Sequence, residues 1–378
     1  MTMKSKIDLI RDISKTRANR CRLLFFRNAL LFSFFALLFQ ACDDCDPIDY
    51  SNEEAEIYFT SMPINSQSPI AMGIRSDRSN LYEIAENSIL YCGANANDEI
   101  FFQQLQPNGK WKVYQSDVFG GSLVELAIAG NPDEISFLVY SDNGDYLASQ
   151  STTGNVIKTS ILQLGNTQRT LDAVVIEGTL PAFSPDGKHF AFFEMIGSFP
   201  HVRVIESINP EQEEYVEAFF FGIHEFGHGL KNSITWSADS KYICFSAKSL
   251  EEGYVQLIVQ NLENHSDRYE IDMDMEILTP SISPDNESVV FASGGDLWII
   301  DLATEELEKL TNISSDYEQI LYPEWSPDSS KILYIKYFSD PTADIYSGNL
   351  EIYNLKSGSI SVISNNVTTA AWTRNGIK

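Results

Sequence analysis

The stretch Leu180–Glu194 reads LPAFSPDGKHFAFFE, and its reading decides the fold. A short apolar run meets Ser184-Pro185-Asp186-Gly187, and a second apolar run follows. Pro185 presets φ at the first corner of a tight turn, Asp186 accepts from nearby backbone N–H groups, and Gly187 tolerates positive φ. Beyond the turn, Phe190 and Phe192 fall on one face of a strand and Ala191 and Phe193 on the other. Both faces are apolar, so the pattern predicts a strand buried between two layers.

The same grammar recurs along the chain. ITWSADSKYICFSA begins at Ile234, PSISPDNESVVFAS at Pro280 and PEWSPDSSKILYIK at Pro323, with shorter copies LVYSDNGDYLAS at Leu138 and AAWTRNGIK at Ala370. Aligned turn positions fall at Ser141, Ser184, Ser237, Ser283, Ser326 and Thr373, at intervals of 43, 53, 46, 43 and 47 residues. A period of roughly 40–50 residues with several short strands per repeat is the signature of a β-propeller blade. The competing reading is a β-sandwich with coincidental turns, which five matched intervals disfavour. Asp186, Asp239, Asp285 and Asp328 accordingly read as structural turn residues.

The repeat resembles the TolB-like, WD-like propeller repeat. Gly295–Thr311, GDLWIIDLATEELEKLT, is similar to its second half, and Asp344–Ser357, DIYSGNLEIYNLKS, is similar to it with an insertion. The resemblance covers residues 130–378 well and 50–130 weakly. It implies an all-β fold and leaves function open, because such propellers serve in translocation, as peptidase accessory domains and in glycan lyases. EIYFTS at Glu56 has the pattern of the strand that follows the turn, and the chain ends just after such a turn. The expected architecture is one propeller over residues 54–378, with about seven four-stranded blades and a ring closed by pairing Glu56–Ser61 with Thr369–Trp372. Six blades, as in TolB, is the alternative.

Residues 1–41 read as a lipoprotein signal peptide. Eight Lys and Arg precede or flank an apolar run, Ala29–Phe39, which is 11 residues long. That run is too short to span a bilayer and the right length for a signal. Ala41-Cys42 resembles a bacterial lipobox, which makes Cys42 the acylated N-terminus; Phe39 and Gln40 depart from the usual pattern. An ordinary cleaved signal and an uncleaved anchor are the alternatives. Residues 42–53 read as an acidic flexible tether. Its CDDCD start resembles the export signal of surface lipoproteins in the Bacteroides group. The expected location is the cell envelope, at the periplasmic or outer face of the outer membrane.

Charge narrows the partners. The chain carries 26 Lys and Arg against 53 Asp and Glu; residues 1–41 hold eight and two of these, so the remainder has 18 against 51, a net −33. Such a field repels phosphate backbones and excludes nucleic acid. A protein, peptide or glycan ligand remains, bound by a monomer held at the membrane through its lipid. Cys92 and Cys244 read as small buried apolar residues in strands of different blades.

His224-Glu225-Phe226-Gly227-His228 fits H-E-x-x-H, in which two histidines one helical turn apart hold zinc and the glutamate acts as base. Gly222, Gly227 and Gly229 argue against the helix that motif needs. The residues instead read as a connecting loop before the strand at Ile234, on the propeller face where ligand sites gather, with a divalent metal or a glycan as the ligand to consider. Asp272, Asp274 and Glu276 alternate and read as the solvated face of an outer strand. No nucleophile elbow, phosphate-binding loop or dinucleotide fingerprint is present. The first functional reading is therefore a non-enzymatic binding or scaffold module without cofactor. The alternative is a glycan-active, lyase-like enzyme with a metal held by His224, Glu225 and His228.

Overall fold

The computed structural model describes residues 56–63, 68–128, 135–153, 156–164, 174–176, 179–196, 199–206, 213–216, 234–248, 255–264, 266–313, 317–338 and 347–373. All of them lie in one compact unit, Glu54–Lys378. Their secondary structure is strand and turn throughout, and among them no helix is long and apolar enough to cross a membrane.

The strands in chain order are β1 (Ile57–Ser61), β2 (Ile70–Ile74), β3 (Tyr82–Glu86), β4 (Ser88–Leu90), β5 (Glu99–Leu105), β6 (Trp111–Asp117), β7 (Val124–Leu126), β8 (Ile135–Tyr140) and β9 (Tyr146–Thr153). There follow β10 (Val156–Gln163), β11 (Val174–Ile176), β12 (Thr179–Phe183), β13 (His189–Ile196), β14 (Phe199–Glu206), β15 (Glu213–Val216), β16 (Ile234–Trp236), β17 (Tyr242–Lys248), β18 (Val255–Asn261) and β19 (Arg268–Met273). The last are β20 (Leu278–Ile282), β21 (Ser288–Ser293), β22 (Asp296–Asp301), β23 (Leu307–Lys309), β24 (Glu318–Trp325), β25 (Lys331–Phe338), β26 (Gly348–Asn354) and β27 (Ser359–Trp372).

They form five antiparallel sheets of four strands, β4–β7, β8–β11, β12–β15, β16–β19 and β20–β23, and one of seven. The seven run β24-β25-β26-β27-β1-β2-β3. Strand β27 serves both halves of this sheet: Ser359–Ser364 pairs with β26, and Val367–Trp372 with β1. Asn366, at φ 58°, lies between the two parts. Thus Ile57 sits opposite Trp372 and Thr60 opposite Thr369, strands from the two ends of the sequence.

The turns hold the hairpins in register. Ser184 Oγ accepts from the His189 N–H at 2.9 Å and donates to Asp186 Oδ1 at 2.7 Å, while the Gly187 N–H closes onto the Ser184 carbonyl. The arrangement repeats at Ser237, Ser283 and Ser326 with Asp239, Asp285 and Asp328. Each of these serines is at most 3% exposed, so the hydroxyl is the buried pivot and the carboxylate its partner at the surface. Gly187 has φ 71°, and the equivalent Ser240, Asn286 and Ser329 take φ of 62°, 63° and 55° despite their side chains.

Neighbouring sheets bury the strands on both faces. Phe190, Ala191 and Phe192 are 0% exposed and Phe193 6%. Phe190 and Phe192 pack with Ala148, Ile161 and Phe183, toward the β8–β11 sheet, while Ala191 and Phe193 pack with Ile234, Trp236 and Phe245 of the next. Each buried aromatic ring contributes about 2–3 kcal/mol by removing apolar area from water. Two sequence expectations need correction. Cys92 lies in the bend after β4 and is only half-buried, because that strand stops at Leu90. Strand β19 stops at Met273, so Asp274 and Glu276 lie beyond it; Asp272, Asp274 and Glu276 are nevertheless all exposed.

Candidate functional site

The first strands of the sheets converge. Tyr140 ends β8, Phe183 β12, Trp236 β16 and Trp372 β27; with Cys92 and Glu324 they line one cavity of about 60 Å³. Three indoles stitch this region. Trp236 Nε1 donates to the Ala182 carbonyl at 3.2 Å, Trp325 Nε1 to Ser281 at 2.9 Å and Trp372 Nε1 to Glu324 at 3.2 Å. For Trp236 and Trp325 the acceptor lies on the first strand of the preceding sheet, β12 or β20; for Trp372 it lies on β24, in the same seven-stranded sheet. Gly93 meets the same region so closely that a Cβ there would lie 2.0 Å from the Trp372 carbonyl oxygen.

The turns join laterally as well. Asn143 Nδ2 donates to the Asp186 carbonyl at 3.0 Å, the Asp186 N–H to Ser240 Oγ at 3.0 Å, and the Ala96 N–H to the Asp142 carbonyl at 2.7 Å. Leu90 N–H donates to Thr60 Oγ1 at 2.8 Å, and Thr369 Oγ1 donates to the same oxygen at 2.8 Å. Adjacent sheets therefore share hydrogen bonds as well as apolar contacts.

The turn carboxylates are tuned for structure. Asp328 is held below the usual carboxylate range, first by the Ser326 hydroxyl and then by Ser330. In Asp186 and Asp285 partial burial pushes upward, but bonds from Ser184 and the Lys188 N–H, and from Ser283 and the Glu287 N–H, together bring both below that range. A proton-transfer group at neutral pH needs the opposite displacement.

A larger hollow, about 360 Å³, opens between the β16–β19 and β20–β23 sheets beside Tyr242, Tyr269, Asn264 and Asn286. Most of its polar groups already serve the fold: Tyr242 Oη and Asn261 Nδ2 donate to Asp267, and Asn261 Oδ1 accepts from two backbone N–H groups.

His224, Glu225 and His228 lie outside the described residues, as do Cys42 and the signal and tether. Among the described residues no group of three or more His, Cys, Asp and Glu could hold a metal. His189 begins β13 and its ring stacks on Trp236 at 6.1 Å. Cys244 is fully buried and its thiol pushed up by that burial, which makes it inert.

Two buried carboxylates escaped the sequence reading. Asp296, 3% exposed, accepts from Thr311 Oγ1 at 2.9 Å and the Ile313 N–H at 2.7 Å, and pairs with Lys309 Nζ at 2.6 Å. Glu351, 4% exposed, accepts from Tyr334 Oη at 2.9 Å and lies 3.4 Å from Lys336 Nζ. Asp296 and Thr311 bracket the repeat stretch quoted above, so their pairing was the one signal available.

No family model and no curated protein matches the chain. Solved structures do. The β-propeller domain of the trilobed protease from Pyrococcus furiosus, described as having an open velcro topology, matches with TM-score 0.55 and 12% identity, covering 83% of this chain and 94% of that one. A protein from Lactobacillus plantarum matches with TM-score 0.54 and 11% identity, over 84% and 97% of the two chains. TolB from Acinetobacter baumannii matches at TM-score 0.48 and 14% identity, over 84% and 82%. The first of these likenesses, taken with the all-β sheets, gives the class: the chain has a β-propeller fold.

Proposed function

We propose that this chain is a lipid-anchored envelope protein whose propeller is a non-enzymatic binding or scaffold module for a protein, peptide or glycan. The observation that carries the reading is the filled centre. Aromatic side chains and their carbonyl stitches leave about 60 Å³ where the first strands meet, well under the roughly 300 Å³ of a small-molecule site. A propeller with a plugged centre offers its rims and loops to larger partners. We take the seven-stranded sheet as two four-stranded blades that share β27, which gives seven blades, with β1 beside β27 closing the ring. The hydrogen bonds between adjacent sheets support this count. The anchor rests on Ala41-Cys42 and the short apolar run before it.

The test incubates the full chain in mild detergent with arrays of neutral glycans and of peptides, and analyses what is retained. Intact ligand held by the wild type supports the reading. Cleavage of a ligand, abolished by zinc chelation and by the His224→Ala/His228→Ala double variant, refutes it in favour of the metal-dependent enzyme. Mass spectrometry of the mature N-terminus tests the anchor, which requires acyl mass on Cys42 and release from membranes by Cys42→Ala.

A further inference from the structure

Among the described residues the outer strands of the sheets carry charge, with one extended exception. Strand β3 holds Glu83 and Glu86, β7 Glu125, β15 Glu213 and Glu214, β19 Arg268, Glu270 and Asp272, and β23 Glu308 and Lys309. Strand β11 is uncharged but only three residues long. The outer part of β27, Ser359-Ile360-Ser361-Val362-Ile363-Ser364, has no charge, proline or glycine. Charged side chains on an edge are what ordinarily prevents another strand from adding to it. Ser359–Val362 are all exposed, with Ile360 at 48% and Val362 at 40%. One edge of this segment pairs with β26; among the described residues no strand pairs with the other.

We propose that this free edge is a self-association surface, which pairs antiparallel with the same segment of a second copy. Register follows from parity. Ile360 lies opposite Tyr353 and Val362 opposite Glu351, so the two exposed side chains share one face. Antiparallel pairing about a two-fold axis at Ser361 sets Ile360 against Val362 of the partner copy, and Val362 against Ile360, on that face. Both apolar side chains gain a cover from one operation. An outer strand such as β19, paired with its own copy about Glu270, would set that carboxylate against itself, whereas this segment brings no charge to the contact. It also offers no carboxylate to attract a cationic peptide, which selects a like neutral strand. Five residues a side bury less than the roughly 800 Å² per partner of a standard interface, so the dimer is weak, on the order of micromolar. The acidic remainder of the chain repels its copy, so added salt strengthens the association.

A concentration-dependent pair thus replaces the single copy expected from sequence, and cysteine placement tests it. In the stated register Ser361 faces Ser361 of the second copy with Cα atoms about 5 Å apart, within disulfide reach. The two Ser359 residues are separated by about four strand residues, or roughly 13 Å, and cannot bridge. The full chain in mild detergent, as Ser361→Cys, Ser359→Cys and the parent with its native cysteines, is oxidised mildly and run without reductant. A reducible dimer at least about tenfold more abundant in Ser361→Cys than in the other two, and suppressed when Val362→Lys is added, is expected. Equal cross-linking in the two variants, none in either, or cross-linking that Val362→Lys leaves unchanged overturns the proposal. Both cysteine positions are exposed and their melting temperatures, measured in parallel, should match the parent.

Discussion

Replacing Trp372 by phenylalanine isolates one indole stitch. Trp372 is 3% exposed and its N–H donates to the Glu324 carbonyl. Phenylalanine keeps the ring and removes the donor, leaving a carbonyl in the filled centre without that partner, which costs about 1–3 kcal/mol. The side chain is also roughly 40 Å³ smaller, and at ~24 cal/mol per Å³ of unfilled cavity this adds about 1 kcal/mol. The expected loss is therefore about 2–4 kcal/mol. Urea denaturation followed by far-ultraviolet circular dichroism measures it without relying on the altered fluorescence. Trp111→Phe on half-buried β6, away from the centre, serves as the control at under about 1 kcal/mol. Because Trp236 and Trp325 make the same bond to the neighbouring sheet, their phenylalanine variants should fall in the same range. A Trp372→Phe protein within about 0.5 kcal/mol of wild type would refute the reasoning, since it would mean the stitch adds nothing to packing.

Phe192→Ala, at a side chain with no exposed surface between two sheets, should cost about 3–5 kcal/mol by the same urea titration. Asn286→Gly should raise stability by about 0.5–1 kcal/mol, since it relieves a φ of 63° and removes a buried Oδ1 that has no hydrogen-bond partner among the described residues. Asp186, Asp285 and Asp328 are held below their ordinary range. They bind protons less readily folded than unfolded, so their contribution is full above about pH 4 and fades as pH falls through their folded values. Urea midpoints should decline on that acid limb, and Asp328→Asn should flatten it. Asp296→Asn should destabilise by about 2–3 kcal/mol while leaving β-sheet content unchanged, checked by circular dichroism.

Much of the fold was legible because turn chemistry and strand alternation are local. SPDG predicted both the hairpin and the double-sided burial of Phe190–Phe193, and the match of EIYFTS to a second strand predicted its place beside Thr369–Trp372. What stayed hidden depends on how sheets stack. A tryptophan at the end of a short strand looks like any core aromatic until the neighbouring sheet presents a carbonyl to it. The turn reading credited glycine with positive φ, yet serine and asparagine occupy that place in three repeats, held there by the buried serine hydroxyl and the strands on either side. Cys92 was assigned to a strand because its apolar neighbours continue the pattern, whereas Gly93 draws the chain out of the ladder and against Trp372. His224, Glu225 and His228 were legible as a motif alone, since they lie outside the described residues.

The pairing of β1 with β27 also has a meaning in time. Ile57 and Trp372 are partners, so one edge of β1 stays open until the chain has been made as far as Trp372. Bringing such distant residues together carries a closure entropy of about 5 kcal/mol by the logarithmic rule, and contacts this remote in sequence form slowly. During that interval β1 has only β2 for a partner, and the other edge of a buried-type sequence, Ile57-Tyr58-Phe59, is exposed to whatever surrounds the nascent protein. Its maturation is thus expected to depend on a holding factor or on low crowding, and truncations at the C-terminal end should harm the N-terminal strands first.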